Sequence, residues 1–128
     1  MREASSKLIR AGSVIVRAPE GIASGPFWVE HLLTGRQDGD LTAMRASLDP
    51  GIRTHWHSHP RGQLLLALSG VGRVQRRGDE IAEIQAGDAV WFDPDEEHWH
   101  GASERSVFIY VSIQPMQGGA AAHWLEPS

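Results

Sequence analysis

Short apolar runs broken by Gly, Pro and Asp recur along the whole chain, and helical spacing of apolar residues is weak almost everywhere. The runs predict strands over residues 13–16, 27–32, 41–48, 63–69, 72–77, 81–84, 89–92 and 106–113, with a late piece near 123–125. Turn chemistry marks the breaks, as in Asp49-Pro50-Gly51, Ser69-Gly70, Gly78-Asp79, Gly87-Asp88 and Asp93-Pro94-Asp95. Many short strands at this spacing predict an all-β sandwich or barrel. Two runs, Leu64-Leu65-Leu66-Ala67-Leu68 and Val107-Phe108-Ile109-Tyr110-Val111, are apolar at successive positions. Strands covered on both faces have this character: one side meets a barrel interior, the other an outer layer or a second subunit.

The length of 128 residues suits a single domain, and neither a repeat nor a linker divides the chain. The first dozen residues and the last few read as loose ends. Acidic and basic residues are mixed, the formal net charge is −4, and no Lys/Arg block exists to follow a phosphate backbone. Nucleic acid is therefore not an expected partner. Nowhere do eighteen apolar residues run together, and residues 1–17 lack the apolar centre of a secretory leader, so a cytoplasmic protein without membrane contact is expected. There is no cysteine. A metal would need His, carboxylate or amide ligands.

The seven histidines change the picture, because five of them fall in two clusters. The first is His55-Trp56-His57-Ser58-His59-Pro60-Arg61-Gly62-Gln63. On an extended strand alternate residues share a face and stand roughly 6.6 Å apart, so His57 and His59 can converge on one ion. Pro60 ends that strand, Gly62 frees the turn, and Gln63 can return an amide oxygen to the same point. The second cluster, Glu97-His98-Trp99-His100-Gly101, puts His98 and His100 on one face and Trp99 on the other. Brought together across a barrel, the two edges would supply three or four ligands. His31 and His123 stand alone and read as ordinary residues. His55 falls at the rim, Tyr110 reads as core packing, and Trp56 and Trp99 belong to an outer packing layer or a subunit interface.

These residues resemble the two motifs of the cupin family. The first family pattern is Gly, His-x-His, an acidic residue and Gly at set spacings; Gly51, His57, His59, Gln63 and Gly70 fall at those positions, with Gln in place of Glu. In the second, Gly87 and His98 match, while Asp93 stands at the proline position with Pro94 after it, Asp95 replaces Gly, and Ala102 replaces Asn. Asp tolerates the left-handed turn that Gly serves, so the turn is expected to survive. The resemblance covers about residues 41–113 and implies a double-stranded β-helix (jelly roll) with a metal at the mouth of a small pocket. Both motifs are similar to those of small bacterial cupins with a His/His/Gln/His site, among them the manganese-dependent hydroxynitrile lyases. That likeness implies metal ligation by His57, His59, Gln63 and His98.

Neutral ligands leave a divalent ion with its full charge, which tilts the site towards Lewis-acid work and away from oxygen activation. Imidazole and amide ligands accept Mn, Fe, Ni, Co or Zn. His100, in phase with His98, is a fifth ligand, a general base or a hydrogen-bonded neighbour of the ligands. The expected function is a metal-dependent lyase, isomerase or cyclase acting on a small carbonyl or hydroxyl compound, in a homodimer. A non-catalytic metal or ligand-binding module and a cupin dioxygenase are the alternatives.

Overall fold

A computed structural model describes residues 6–128. Among these residues ten strands run in chain order: β1 (Val16–Arg17), β2 (Trp28–Leu33), β3 (Leu41–Leu48), β4 (His57–Ser58), β5 (Gln63–Arg76), β6 (Ala82–Gln85), β7 (Ala89–Phe92), β8 (His98–Ala102), β9 (Phe108–Pro115) and β10 (His123–Trp124). Among the described residues there is no helix, so none is long and apolar enough to cross a membrane.

Pairing is antiparallel throughout. One sheet runs β1-β2-β3-β9-β5-β7 and the other β6-β5-β8-β4-β10, so the long strand β5 belongs to both. The two runs expected over 63–69 and 72–77 are thus one strand of 14 residues. The chain does not reverse at Ser69-Gly70. It bends there, with a register slip against β9 between Ala67 and Ser69 and a φ of 76° at Gly70, and so passes from one sheet to the other. The turn after β7 keeps its expected form, since Asp95 takes a φ of 64°.

The inner faces of both sheets enclose one core that includes Phe27, Leu48, Leu65, Val74, Phe92 and Phe108. Alternation grades this interior along the barrel. The buried positions of β9 read Phe108, Tyr110, Ser112, Gln114, and they pair in register with Leu48, Ala46, Met44 and Thr42 of β3. One end is therefore packed and apolar, while the other is polar and able to hold a site. Outward residues of the same strands, such as Leu64, Leu66, Val111 and Ile113, are half-buried.

The last residues are not the loose end that was expected. β10 pairs with β4, the N–H of Trp56 donates to the Glu126 carbonyl, and Ser128 Oγ donates to the Thr54 carbonyl at 2.8 Å. Residues 1–5 of the other expected loose end lie outside the described residues; Gly12 is tied by its N–H to Glu30 Oε2 at 2.8 Å.

Candidate metal centre

Short β4 brings the two histidine clusters together. It lies between β8 and β10, so that His57 is the direct cross-strand partner of His98 on one side and of Trp124 on the other. The extended stretch expected from residue 55 onwards is only two residues long, because Pro60 and the turn at Arg61 follow at once. His59 is instead held through its backbone, whose carbonyl accepts N–H groups from Gly62 at 3.2 Å and Asp95 at 2.9 Å. His98 and His100 share the inward face of β8, with His98 stacked on Phe92 at 3.6 Å between ring centroids.

Four imidazoles result, packed together. His57 lies 5.1 Å from His59, 4.4 Å from His98 and 5.1 Å from His100, measured between ring centroids. The ligand nitrogens of His57, His98 and His100 lie within 4.8 Å of one another, so this trio could hold an ion; His59 stands next to it, 5.3 Å from the His98 ring. Gln63 Oε1 approaches His98 Nε2 to 3.2 Å.

Hydrogen bonding fixes what these groups present. His57 Nδ1 lies 2.8 Å from the His55 carbonyl, His59 Nδ1 lies 2.7 Å from the Ala121 carbonyl, and His98 Nδ1 lies 2.8 Å from the Glu96 carbonyl. A carbonyl only accepts, so each Nδ1 carries the proton and each Nε2 is left with a lone pair. The 3.2 Å contact between His98 Nε2 and Gln63 Oε1 then sets two acceptors against each other with no proton between them. His59 Nε2 is buried with no partner at all, as are both ring nitrogens of His100. Buried acceptors without donors are costly, and a cation is the species that satisfies several at once. The residues present fit a divalent metal ion.

Burial keeps the cluster neutral, as metal ligation requires. It pushes His59 down to about 4 and His98 down to about 3, and holds His57 and His100 well below the ordinary imidazole value, with the neighbouring imidazoles adding to the effect. This has a sign in stability. In the unfolded chain these side chains take protons near pH 6.5, whereas His59 and His98 in the fold wait until about 4 and about 3. The unfolded state therefore binds more protons as pH falls below 6.5. The metal-free protein is expected to lose up to about 1.4 kcal/mol per pH unit for each such histidine. Urea midpoints of chelator-treated protein, taken between about pH 7 and about pH 4, check this; a flat series would contradict the buried, neutral cluster.

His57, His59 and His100 line a cavity of about 350 Å³, from which His98 is set back. Its polar side includes His57, His59, Gln63, His100, Tyr110 and Gln114, and its apolar side Ile22, Phe27, Leu33, Met44, Met116 and Trp124. Several of these lay outside the sequence reading. Trp124 lies against His57 with centroids 4.4 Å apart and the rings tilted by 33°, and nothing local in sequence connects the two. Gln114 carried a usable signal: Tyr110, Ser112 and Gln114 place polar atoms on the inward face of a strand that opens apolar. Tyr110 is buried as expected, yet it also lines the cavity, 4.9 Å from His100, and its hydroxyl has no partner. His31 reaches the cavity wall as well, whereas His123 is exposed and His55 contributes its carbonyl. Trp56 and Trp99 lie away from the imidazoles, capped by the guanidinium groups of Arg77 and Arg53 at 4.1 and 4.3 Å.

Comparison with known proteins agrees with this architecture. Residues 44–114 match the cupin domain family. The chain is 36% identical over 110 residues to an (R)-mandelonitrile lyase from Granulicella tundricola, covering 86% of this chain and 84% of that protein. The crystal structure of a cupin-like protein from Thermotoga maritima superposes with a TM-score of 0.82 at 31% identity, over 95% of this chain and 90% of that one. A DMSP lyase from Ruegeria pomeroyi shares the fold with a TM-score of 0.67 at 19% identity, over 80% of this chain and 53% of that one. Sequence motifs, sheet topology and relatives agree, and the chain belongs to the cupin family.

Proposed function

We propose that the protein is a divalent-metal lyase that cleaves an aromatic hydroxynitrile into an aldehyde and hydrogen cyanide. The observation that carries this reading is the convergence of donor-free lone pairs on one wall of a cavity whose other wall is apolar. The 36% identity to an (R)-mandelonitrile lyase supports the substrate class.

His57, His59, Gln63 and His98 would hold the ion, manganese being the expected one. A bound divalent ion supplies Lewis acidity for a hydroxyl or carbonyl oxygen. His100 is the base. It differs from the other three histidines in having no carbonyl on Nδ1; both of its nitrogens are buried without a partner, on a residue that lines the cavity. A ring nitrogen of His100 takes the hydroxyl proton of the substrate. The C–C bond to the nitrile then breaks, its electron pair leaving with cyanide as the C=O of the aldehyde forms. Burial disfavours the imidazolium, so His100 returns the proton to cyanide and hydrogen cyanide leaves. Phe27, Met44 and Trp124 seat the aryl group and keep water from the reacting carbon.

The test is aldehyde release from (R)- and (S)-mandelonitrile by protein loaded separately with Mn, Fe, Co, Ni and Zn. Cleavage is expected with at least one of them. Stoichiometric metal without cleavage in any form would sink the lyase reading, and oxygen uptake by the iron form would replace it with a dioxygenase. His100→Ala should retain the metal and lose about a hundredfold in turnover; a variant that loses the metal instead would make His100 a ligand. The half-exposed apolar face of the first sheet supports a homodimer, checked by sedimentation velocity.

A further inference from the structure

Three polar side chains form one row across neighbouring strands of the first sheet. Thr42 of β3 pairs in register with Gln114 of β9, and Gln63 opens β5 one residue before Leu64, which pairs with Ile113. All three line the cavity, and Gln63 and Gln114 are buried.

A side-chain amide has nearly the same shape from either end and differs only in which end donates, so its direction must be imposed by a group of fixed polarity. The Thr42 carbonyl is such a group, because it only accepts. Gln114 Nε2 donates to it at 3.3 Å and to Thr42 Oγ1 at 2.6 Å. The Thr42 hydroxyl proton is committed to the Gln114 carbonyl at 3.0 Å. Gln114 Oε1 must therefore face the other way, where it accepts from Gln63 Nε2 at 2.9 Å. Gln63 Oε1 is left directed at the imidazoles.

We infer that Thr42 and Gln114 are positioning residues: they fix the direction of the Gln63 amide and thereby require an amide, not a carboxylate, at that ligand position. A glutamate in its place would set a carboxylate oxygen against Gln114 Oε1, leaving two buried acceptors opposed. Gln114 cannot turn over to relieve them without placing its own oxygen on the Thr42 carbonyl. The net charge of the centre is thus decided outside the set of ligands, by a backbone carbonyl on β3. The inference rests on the metal centre described above, and not on the lyase reaction.

The experiment measures Mn²⁺ affinity, with the metal alone competed against a chromophoric chelator. It compares the full chain as wild type, Gln114→Leu, Gln63→Glu and the double variant. In the wild-type background, Gln114→Leu is expected to weaken binding by about tenfold or more. In the Gln63→Glu background the same change removes the opposing acceptor and is expected to tighten binding. That inversion of sign is a coupling which a packing role would not produce. Thr42→Val, which takes away one of the two anchors of Gln114, should show a smaller inversion and serves if the leucine variant does not fold. Effects of the same sign in both backgrounds would overturn the inference, as would a wild type with no affinity for Mn²⁺. A wild type that binds Mn²⁺, shows the inversion and leaves mandelonitrile intact would uphold the inference and strike the lyase reading alone.

Discussion

His57→Ala is expected to abolish metal binding and, with it, turnover. His57 is the hub of the cluster, with three imidazoles around it at 4.4 to 5.1 Å and a carbonyl fixing its Nδ1. Changes one layer out from a metal ligand already cost about 10- to 100-fold in affinity, so removal of the ligand itself should exceed the upper figure. Elemental analysis of purified protein, before and after reloading, checks the outcome. The metal-free fold should survive. The imidazole is buried and crowded by three others, and alanine removes that crowding. Thermal denaturation of chelator-treated wild type and variant separates the two effects. Near-equal midpoints with lost metal support the assignment. Full metal occupancy in the variant would exclude His57 as a ligand.

Gly70→Ala is expected to have the largest effect on folding of any glycine-to-alanine change among the described residues. A Cβ at that position would lie 1.7 Å from the Val107 carbonyl oxygen, which is backbone and cannot turn aside. The φ of 76° adds strain of its own for any residue with a side chain. Left-handed strain and overpacking each cost about 1–3 kcal/mol, so a loss of about 2–6 kcal/mol is expected. For a domain of this size that lowers the melting midpoint by about 6 °C or more. The comparison variant is Gly78→Ala, which has a φ of 92° and open space around it. It should lose only the strain part. Equal losses at both positions would show that the close approach to Val107 carries no weight.

These two residues also show what the sequence made legible. Gly70 was visible as a motif glycine and a break, but its meaning was not: a break read as a turn is a bend within one long strand. The dipeptide Ser69-Gly70 is compatible with both, and only the pairing partners on β9 and β8 decide between them. Leu41–Leu48 and Ala89–Phe92 were read with their observed bounds, because each is a clean run between strong turn signals. The histidine pairs were legible for the same reason, since period-two alternation survives in β8. The contributions of Trp124 and of the Ala121 carbonyl were not legible, and although the inward polar run of β9 marks Gln114, its partnership with Gln63 was not legible either. Each reaches the site across a sheet, from 51 to 67 positions away in the chain in the case of Gln114 on Gln63 and Trp124 on His57. No local pattern encodes such a distance.

The place of β4 between β8 and β10 has a consequence for how the protein is made. During synthesis the segment carrying His57, His59 and Gln63 emerges well before β8, and β10 comes later still. The nascent segment carries these side chains before the strands that hold them in place exist. The Ala121 carbonyl that sets the His59 ring arrives 62 residues after it. Any discrimination among ions by the proposed centre would therefore rest with the closed barrel, completed when β10 pairs with β4.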